Sequence, residues 1–316
     1  MRLAVFGAGG VGGYFGGRLA QAGHSVVFIA RGAHLEAIRR DGLRVQSIAG
    51  DFVVSPAEAT DAPASAGTVD AALLCVKAGG VTEASRALLP MLRPDSFVVP
   101  LQNGVEAADE AAAIVGPERV VAGLCRIVTY VAGPGRICHA GVPPRIEFGE
   151  RDRRRSERVA ALRTAFERCA GLTVETPGDI DAALWEKFLF IAPVGGVGAA
   201  TGMPVGIVRG VVESRRLLEA AMREVFDLAR VRGVALPEDA VERTLRYVDS
   251  LPEDATASMQ RDLLDGKPSE LEYQTGAIVR LGRASGAAVP VNDFLYASLL
   301  PRERKARGSL RSSAAS

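Results

Sequence analysis

The sequence predicts an α/β fold, with a doubly wound parallel sheet first and an all-helical C-terminal domain after it. Three observations carry this. Up to about residue 177, short β-branched runs alternate with amphipathic stretches, the pattern of a parallel sheet covered by helices. A glycine-rich turn joins the first apolar run to the first helical stretch at residues 7–12. Beyond Pro177-Gly178, long helical periodicity dominates. The expected domains are residues 1–178 and 179–300, with a tail at 301–316.

In chain order, strands are expected at residues 2–6, 25–30, 71–76, 97–100 and 120–124, and helices at 10–22, 33–41 and 82–89. The segment 127–148 is strand-like, with turn signals at Gly133-Pro134-Gly135 and Pro143-Pro144. It is expected to extend the sheet by antiparallel pairing. Helices follow at 180–191, 211–232, 239–249, 258–264 and 269–285. Pro193 and Gly195-Gly196 are expected to end or bend the first of these. Gly266-Lys267-Pro268 breaks the chain before the last helix. There Ser269 and Glu272 have capping-box spacing, which puts Glu270 at the first helical position. The basic stretch from Arg302, followed by serine and alanine, is expected to be disordered.

A chain of 316 residues is comfortable for two domains. Its composition, 48% hydrophobic and 24% charged, is that of a globular protein. The formal net charge of +1 gives no electrostatic case for nucleic acid or a membrane surface. The basic runs 151–158 and 302–307 lack interleaved aromatics and read as solvated surface. The four cysteines are widely spaced without a CxxC, and the three histidines form no cluster with them. Reduced thiols and no metal are expected. With strand one starting at Arg2 and no long uncharged apolar run, a cytoplasmic location is expected.

Residues 3–17 read LAVFGAGGVGGYFGG. A strand that turns on Gly7 lets the backbone at Ala8, Gly9, Gly10 and Val11 approach a pyrophosphate. Gly12 permits close helix–strand packing, and the helix N-terminus faces the anion. This is the dinucleotide fingerprint of a Rossmann-type domain. Its second strand ends on Ala30-Arg31-Gly32, with no acid between Val26 and Ala33. Arg31 lies about 20 residues beyond Gly12, where an acid grips a ribose 2′-hydroxyl and an arginine suits a 2′-phosphate. NADP(H) is therefore the expected cofactor.

With these features stand CVKAGG at residues 75–80, LQNGVE at 101–106, LWEKFLF at 184–190 and SMQRDLLDGKPSELEY at 258–273. In this order the motifs resemble the ketopantoate reductase (2-dehydropantoate 2-reductase) family, from Met1 to about Leu300. The resemblance implies NADPH-dependent reduction of a 2-oxo acid, foremost 2-dehydropantoate to pantoate as in pantothenate biosynthesis. It also implies a homodimer through the helical domain. Lys187 falls where the family places its catalytic lysine, and Asn103 on an asparagine that meets cofactor and substrate. Lys77 falls on a cofactor-contacting lysine, Ser258 on a substrate-binding serine, and Glu270 on a glutamate near the cofactor and the reacting centre.

The chemistry agrees with those roles. Hydride addition to a ketone leaves negative charge on oxygen, which a lysine ammonium can stabilise and protonate. Ser258 and Asp262, four apart, share a helix face. The chain departs from the family where the lysine helix usually carries substrate-binding asparagines. Here Ile191 and Gly195 stand four and eight residues beyond Lys187, about 40° and 80° round the helix, and Val205 stands further on. Gly79-Gly80 also replaces larger residues after Lys77. An apolar pocket discriminates among substrates more weakly than a hydrogen-bonding one. Two other readings follow: a reductase of a more apolar 2-oxo acid, or a non-catalytic NADP(H) sensor.

Overall fold

The computed structural model describes residues 1–309. The chain divides into two compact units, residues 1–102 with 106–180, and residues 103–105 with 181 onward. The sequence places residues 103–105 inside the first domain, but they belong with the second unit.

The first unit runs β1 (Arg2–Phe6), α1 (Gly10–Gln21), β2 (Ser25–Ile29), α2 (Gly32–Asp41), β3 (Leu43–Ser47), β4 (Phe52–Val54), β5 (Glu58–Thr60), β6 (Val69–Leu74), α3 (Val81–Leu88), β7 (Leu92–Pro100), α4 (Ala107–Val115), β8 (Ala122–Gly133), β9 (Arg136–Gly149), α5 (Glu157–Glu167) and β10 (Thr173–Glu175). Its main sheet has the order β5-β2-β1-β6-β7, every neighbouring pair parallel. The chain moves from β1 to one side and then returns to the other. The end of β1 is thus the topological switch point, where such sheets bind ligands. Leu3, Val5, Phe28, Leu73 and Val99 are buried on these strands, with Phe15 and Leu19 of α1 packed among them.

The segment expected to extend this sheet does not join it. β8 and β9 pair antiparallel, as expected, but they belong to a second sheet of order β10-β9-β3-β4. β9 pairs parallel with β3 and with β10, two elements the sequence pattern did not single out. The strand expected at 120–124 is not a strand of the main sheet, and Val120 forms an isolated parallel bridge to Val98 of β7.

The second unit is helical: α6 (Ile180–Thr201), α7 (Val205–Gly210), α8 (Val212–Val231), α9 (Ala240–Ser250), α10 (Ser258–Leu264), α11 (Thr275–Ser285) and α12 (Pro290–Ala306). Phe188, Leu189, Val197, Met222, Val225, Val248 and Ile278 form its buried centre. By length and composition α6 could cross a membrane, but it is mostly buried inside the protein, as a core helix is.

Three expectations are corrected here. α6 does not end near Pro193 but continues to Thr201. Its glycines are sites of close approach: a Cβ at Gly195 would lie 2.9 Å from Met259 Cε, and one at Gly198 would lie 2.5 Å from Gln260 Oε1. The helix expected at 269–285 is broken into a 3-10 turn, Leu271–Tyr273, and α11. The capping box is not formed, because the Glu272 carboxylate faces Tyr296 and Arg280 instead. Lastly, α12 carries residues 301–306 of the expected disordered tail in helical form. The remainder of that tail from residue 310 lies outside the described residues.

Candidate functional site

The loop between β1 and α1 is shaped by its glycines. Gly7 has φ +97°, and a Cβ there would lie 2.9 Å from the backbone nitrogen of Val76. Gly12 is tighter, with a would-be Cβ 2.1 Å from the Gly7 carbonyl oxygen and 2.8 Å from Val5 Cγ1. This close packing lets α1 start directly over β1. Gly9, by contrast, is open, with nothing within 4 Å of a Cβ position. It caps α1 with no side-chain hydrogen bond, and no acid sits in the first turn. These features fit a pyrophosphate at the helix N-terminus. Ala8 is buried, Val11 is partly exposed, and Gly10 lies against Thr129 of β8.

Arg31 stands at the end of β2 as the residue before α2, its side chain 74% exposed. Nη2 donates to Glu83 Oε1 at 3.0 Å, from the first turn of α3. An exposed pair of this kind is worth about 0–1 kcal/mol, so the guanidinium is readily released to an anion. Lys77 is exposed in the turn after β6, beside the central strand. At Cys75, just after β6, burial pushes the thiol well above the ordinary range, and the neighbouring Cys125 adds to this.

The second unit brings together Asn103, Glu270 and a residue the sequence did not suggest. Asn103 Nδ2 donates to Glu270 Oε2 at 3.1 Å, and Gln274 Nε2 donates to the same oxygen at 3.4 Å. Gly104 (φ +105°) makes the approach possible, since a Cβ there would lie 2.7 Å from the Tyr273 carbonyl oxygen. Gln274 is 2% exposed. Its Oε1 lies 3.6 Å from a Cβ position at Gly195, so α6, the Glu270 turn and the Asn103 loop meet around one buried amide. The four-residue spacing from Glu270 was the one sequence signal for Gln274.

Glu270 does not open a helix. It precedes the 3-10 turn, and Ser269 before it is anchored from α12. The Glu303 carboxylate accepts from the Ser269 backbone N–H at 3.0 Å and from Ser269 Oγ at 2.6 Å. Arg307 donates to Glu303 at 2.5 Å and to the Ser269 carbonyl at 2.8 Å. No local spacing announces this clamp. Burial, followed by the Glu272 carboxylate, pushes the Tyr296 phenol up to about 12, so it remains a donor to Glu272 at ordinary pH.

Lys187 sits in α6, 7% exposed between Glu186 and the buried Phe188. Ile191 and Gly195 follow one and two turns on, and Ile191 packs against the helical core. Ser258 is the exposed first residue of α10. Its neighbour Met259 carries the methyl that covers Gly195. Val205 is buried and opens α7, its N–H donating to Ala255 O. The arginines of the run 151–158 meet acids: Arg151 with Asp109, Arg153 with Asp179 at 2.6 Å, and Arg158 with Glu150 at 2.7 Å.

Comparison with known proteins agrees with these features. Two family models, ketopantoate reductase PanE/ApbA and ketopantoate reductase PanE/ApbA C terminal, match residues 3–153 and 179–303. A 2-dehydropantoate 2-reductase of Mesorhizobium japonicum is 31% identical over 318 residues, covering 94% of this chain and 96% of its own. The uncharacterized oxidoreductase YkpB of Bacillus subtilis is 30% identical, covering 95% and 98%. Among solved structures, a PanE/ApbA family ketopantoate reductase from Ralstonia eutropha is 34% identical. It superposes with a TM-score of 0.88 over 97% of this chain and 100% of that one.

Proposed function

The chain belongs to the ketopantoate reductase family of oxidoreductases, and from that premise we propose that it reduces 2-dehydropantoate to pantoate with NADPH. The observation that carries this reading is that one chain holds both an open glycine loop, in its first unit, and a buried lysine with a hydrogen-bonded Asn103–Glu270–Gln274 group, in its second. A nicotinamide dinucleotide supplies the hydride. The loop from Gly7 to Gly12 would hold its pyrophosphate, Arg31 its 2′-phosphate, and Lys77 and Asn103 would contact the remainder.

Lys187 acts at the substrate oxygen. Its ammonium stabilises the negative charge that develops there and then supplies the proton. Asn103 and Gln274 both donate to one oxygen of Glu270. This fixes the carboxylate and leaves its direction set before substrate arrives. Ser258, exposed at the start of α10, is free to meet the substrate carboxylate or hydroxyl. A sensor needs the phosphate loop but has no use for this second group.

The substrate's hydroxyl is the discriminating feature. Ile191 and Gly195 offer it no side-chain polar atom, but the Gln274 amide oxygen stands beside Gly195 and supplies one. That favours 2-dehydropantoate. The apolar alternative rests on a specific observation too: the Met259 methyl covers Gly195, which suits an alkyl side chain.

Steady-state NADPH oxidation against 2-dehydropantoate and a panel of apolar 2-oxo acids separates the readings. The expected result is a higher kcat/KM on 2-dehydropantoate. A higher value on an apolar acid would transfer the assignment to that substrate, and binding without turnover on any of them would favour the sensor. Reversing the charge at Arg31 (Arg31→Asp) is expected to weaken NADPH binding about tenfold or more while changing NADH binding little. Equal losses for the two would remove the basis for NADP(H).

A further inference from the structure

The phosphate loop has a support that its glycine pattern does not contain. His34 lies in the first turns of α2, three residues beyond Arg31. The backbone N–H of Gly135, in the turn between β8 and β9, donates to His34 Nδ1 at 3.0 Å. A ring nitrogen that accepts carries no proton, so the proton of the neutral ring is on Nε2. Nε2 then donates to the Ala8 carbonyl oxygen at 2.8 Å. The ring is thus held in one tautomer, between the phosphate loop and the hairpin turn.

The anchor at the far end is firm. The Gly135 carbonyl accepts from Arg44 N of β3 at 2.9 Å, and a Cβ at Gly135 would lie 3.0 Å from Ala37 Cβ of α2. The same hairpin leans on the start of α1 at two further points. A Cβ at Gly10 would lie 2.9 Å from Thr129 Oγ1, and one at Gly13 would lie 2.7 Å from Ile137 Cγ1. The other side of Ala8 is held as well, since its N–H donates to Ile29 O at 3.2 Å.

Peptide geometry turns this support into a function. In a trans peptide, C=O and the following N–H point in opposite directions. Pinning the Ala8 oxygen to His34 therefore aims the Gly9 N–H away from His34. Gly9 is the residue whose side-chain direction is open, where the fingerprint brings backbone donors to a pyrophosphate. We propose that His34 is a positioning residue for dinucleotide binding, which orients the Ala8–Gly9 peptide by coupling it to the β8–β9 hairpin turn. This rests on the reading of residues 7–12 as a dinucleotide site.

The test uses two partial mimics. Gln places an amide N–H near the Nε2 position and keeps the bond to Ala8. Asn places an oxygen near Nδ1 and keeps only the bond from Gly135. Binding of NADPH and NADH is followed by fluorescence titration, beside thermal unfolding of each variant. His34→Ala is expected to raise Kd for both nucleotides about tenfold, because the Ala8–Gly9 peptide loses its fixed direction. His34→Gln is expected to recover most of that affinity and His34→Asn little of it. Unchanged affinity in His34→Ala, or equal recovery in Gln and Asn, would overturn the proposal. The wild-type chain gives a second readout that does not depend on a variant folding. Its imidazole nitrogen-15 shifts should show a protonated Nε2 and a bare Nδ1, and the opposite tautomer would overturn the proposal. If the wild-type chain binds neither nucleotide, the dinucleotide reading itself fails, an outcome distinct from a wild-type chain that binds while His34→Ala binds equally well.

Discussion

Replacing Lys187 by alanine is expected to lower turnover about a hundred- to ten-thousand-fold, the usual range for a positioned general acid. NADPH affinity should stay within about twofold, because the phosphate loop and Arg31 belong to the other unit. Lys187→Arg is the informative companion. Arginine keeps the positive charge but does not release a proton at working pH. It should restore part of the electrostatic stabilisation and none of the proton transfer. The difference between the two variants measures the electrostatic share, and the shortfall of Lys187→Arg against the wild type marks the proton-donating share. Titration of nucleotide binding, thermal unfolding and steady-state rates on the same preparations check all three statements. An alanine variant that keeps wild-type turnover would remove Lys187 from the chemistry.

The second large effect is expected at Glu303. Its carboxylate, with a side chain 5% exposed, satisfies the Ser269 N–H and hydroxyl and pairs with Arg307. Glu303→Ala strips acceptors from two donors in a buried corner, each costing about 1–3 kcal/mol when left unmet. It also leaves the Arg307 guanidinium without its acid. That side chain is 47% exposed, so solvent moderates its share, and the expected destabilisation is about 2–4 kcal/mol. Glu303→Gln retains the shape and one acceptor and should cost less than half as much. Because Ser269 immediately precedes Glu270, turnover should fall in the alanine variant even at temperatures where it remains folded. Denaturant unfolding and kcat measured together test this. A loss of stability below about 0.5 kcal/mol would show that the clamp is not holding the turn.

The parts of the molecule that were legible in the sequence are those whose physics is local. Gly7 and Gly12 were readable because a positive φ and a helix start over a strand each demand glycine at a fixed spacing. The helix at residues 258–264 was readable for the same reason, closed by a glycine and a proline just beyond it. α6 shows the limit. Pro193 and the glycines around it read as a stop, yet the helix runs through them. Those glycines are small because Met259, Thr275 and Gln260 press against them, and nothing in residues 193–198 announces partners some sixty to eighty residues away. The second sheet was hidden in the same manner, since β9 takes its parallel neighbours from both earlier and later in the chain. Asn103 and Glu270 were placed by resemblance, Gln274 had only its four-residue spacing from Glu270, and Glu303 became visible only through the side chains it meets.

The three residues at 103–105 have a consequence for how this protein can be taken apart. They are encoded within the first unit but fold with the second, where Asn103 reaches Glu270 and Gly104 lies against Tyr273. The boundary near residue 180 is therefore not a clean seam. A chimaera that joins the first 180 residues of this chain to the helical half of a relative would set this chain's tripeptide against the relative's own counterpart of the Glu270 turn. Exchange of the helical half succeeds as a unit only if Asn103-Gly104-Val105 travels with it, which makes the protein modular in space and interleaved in its gene.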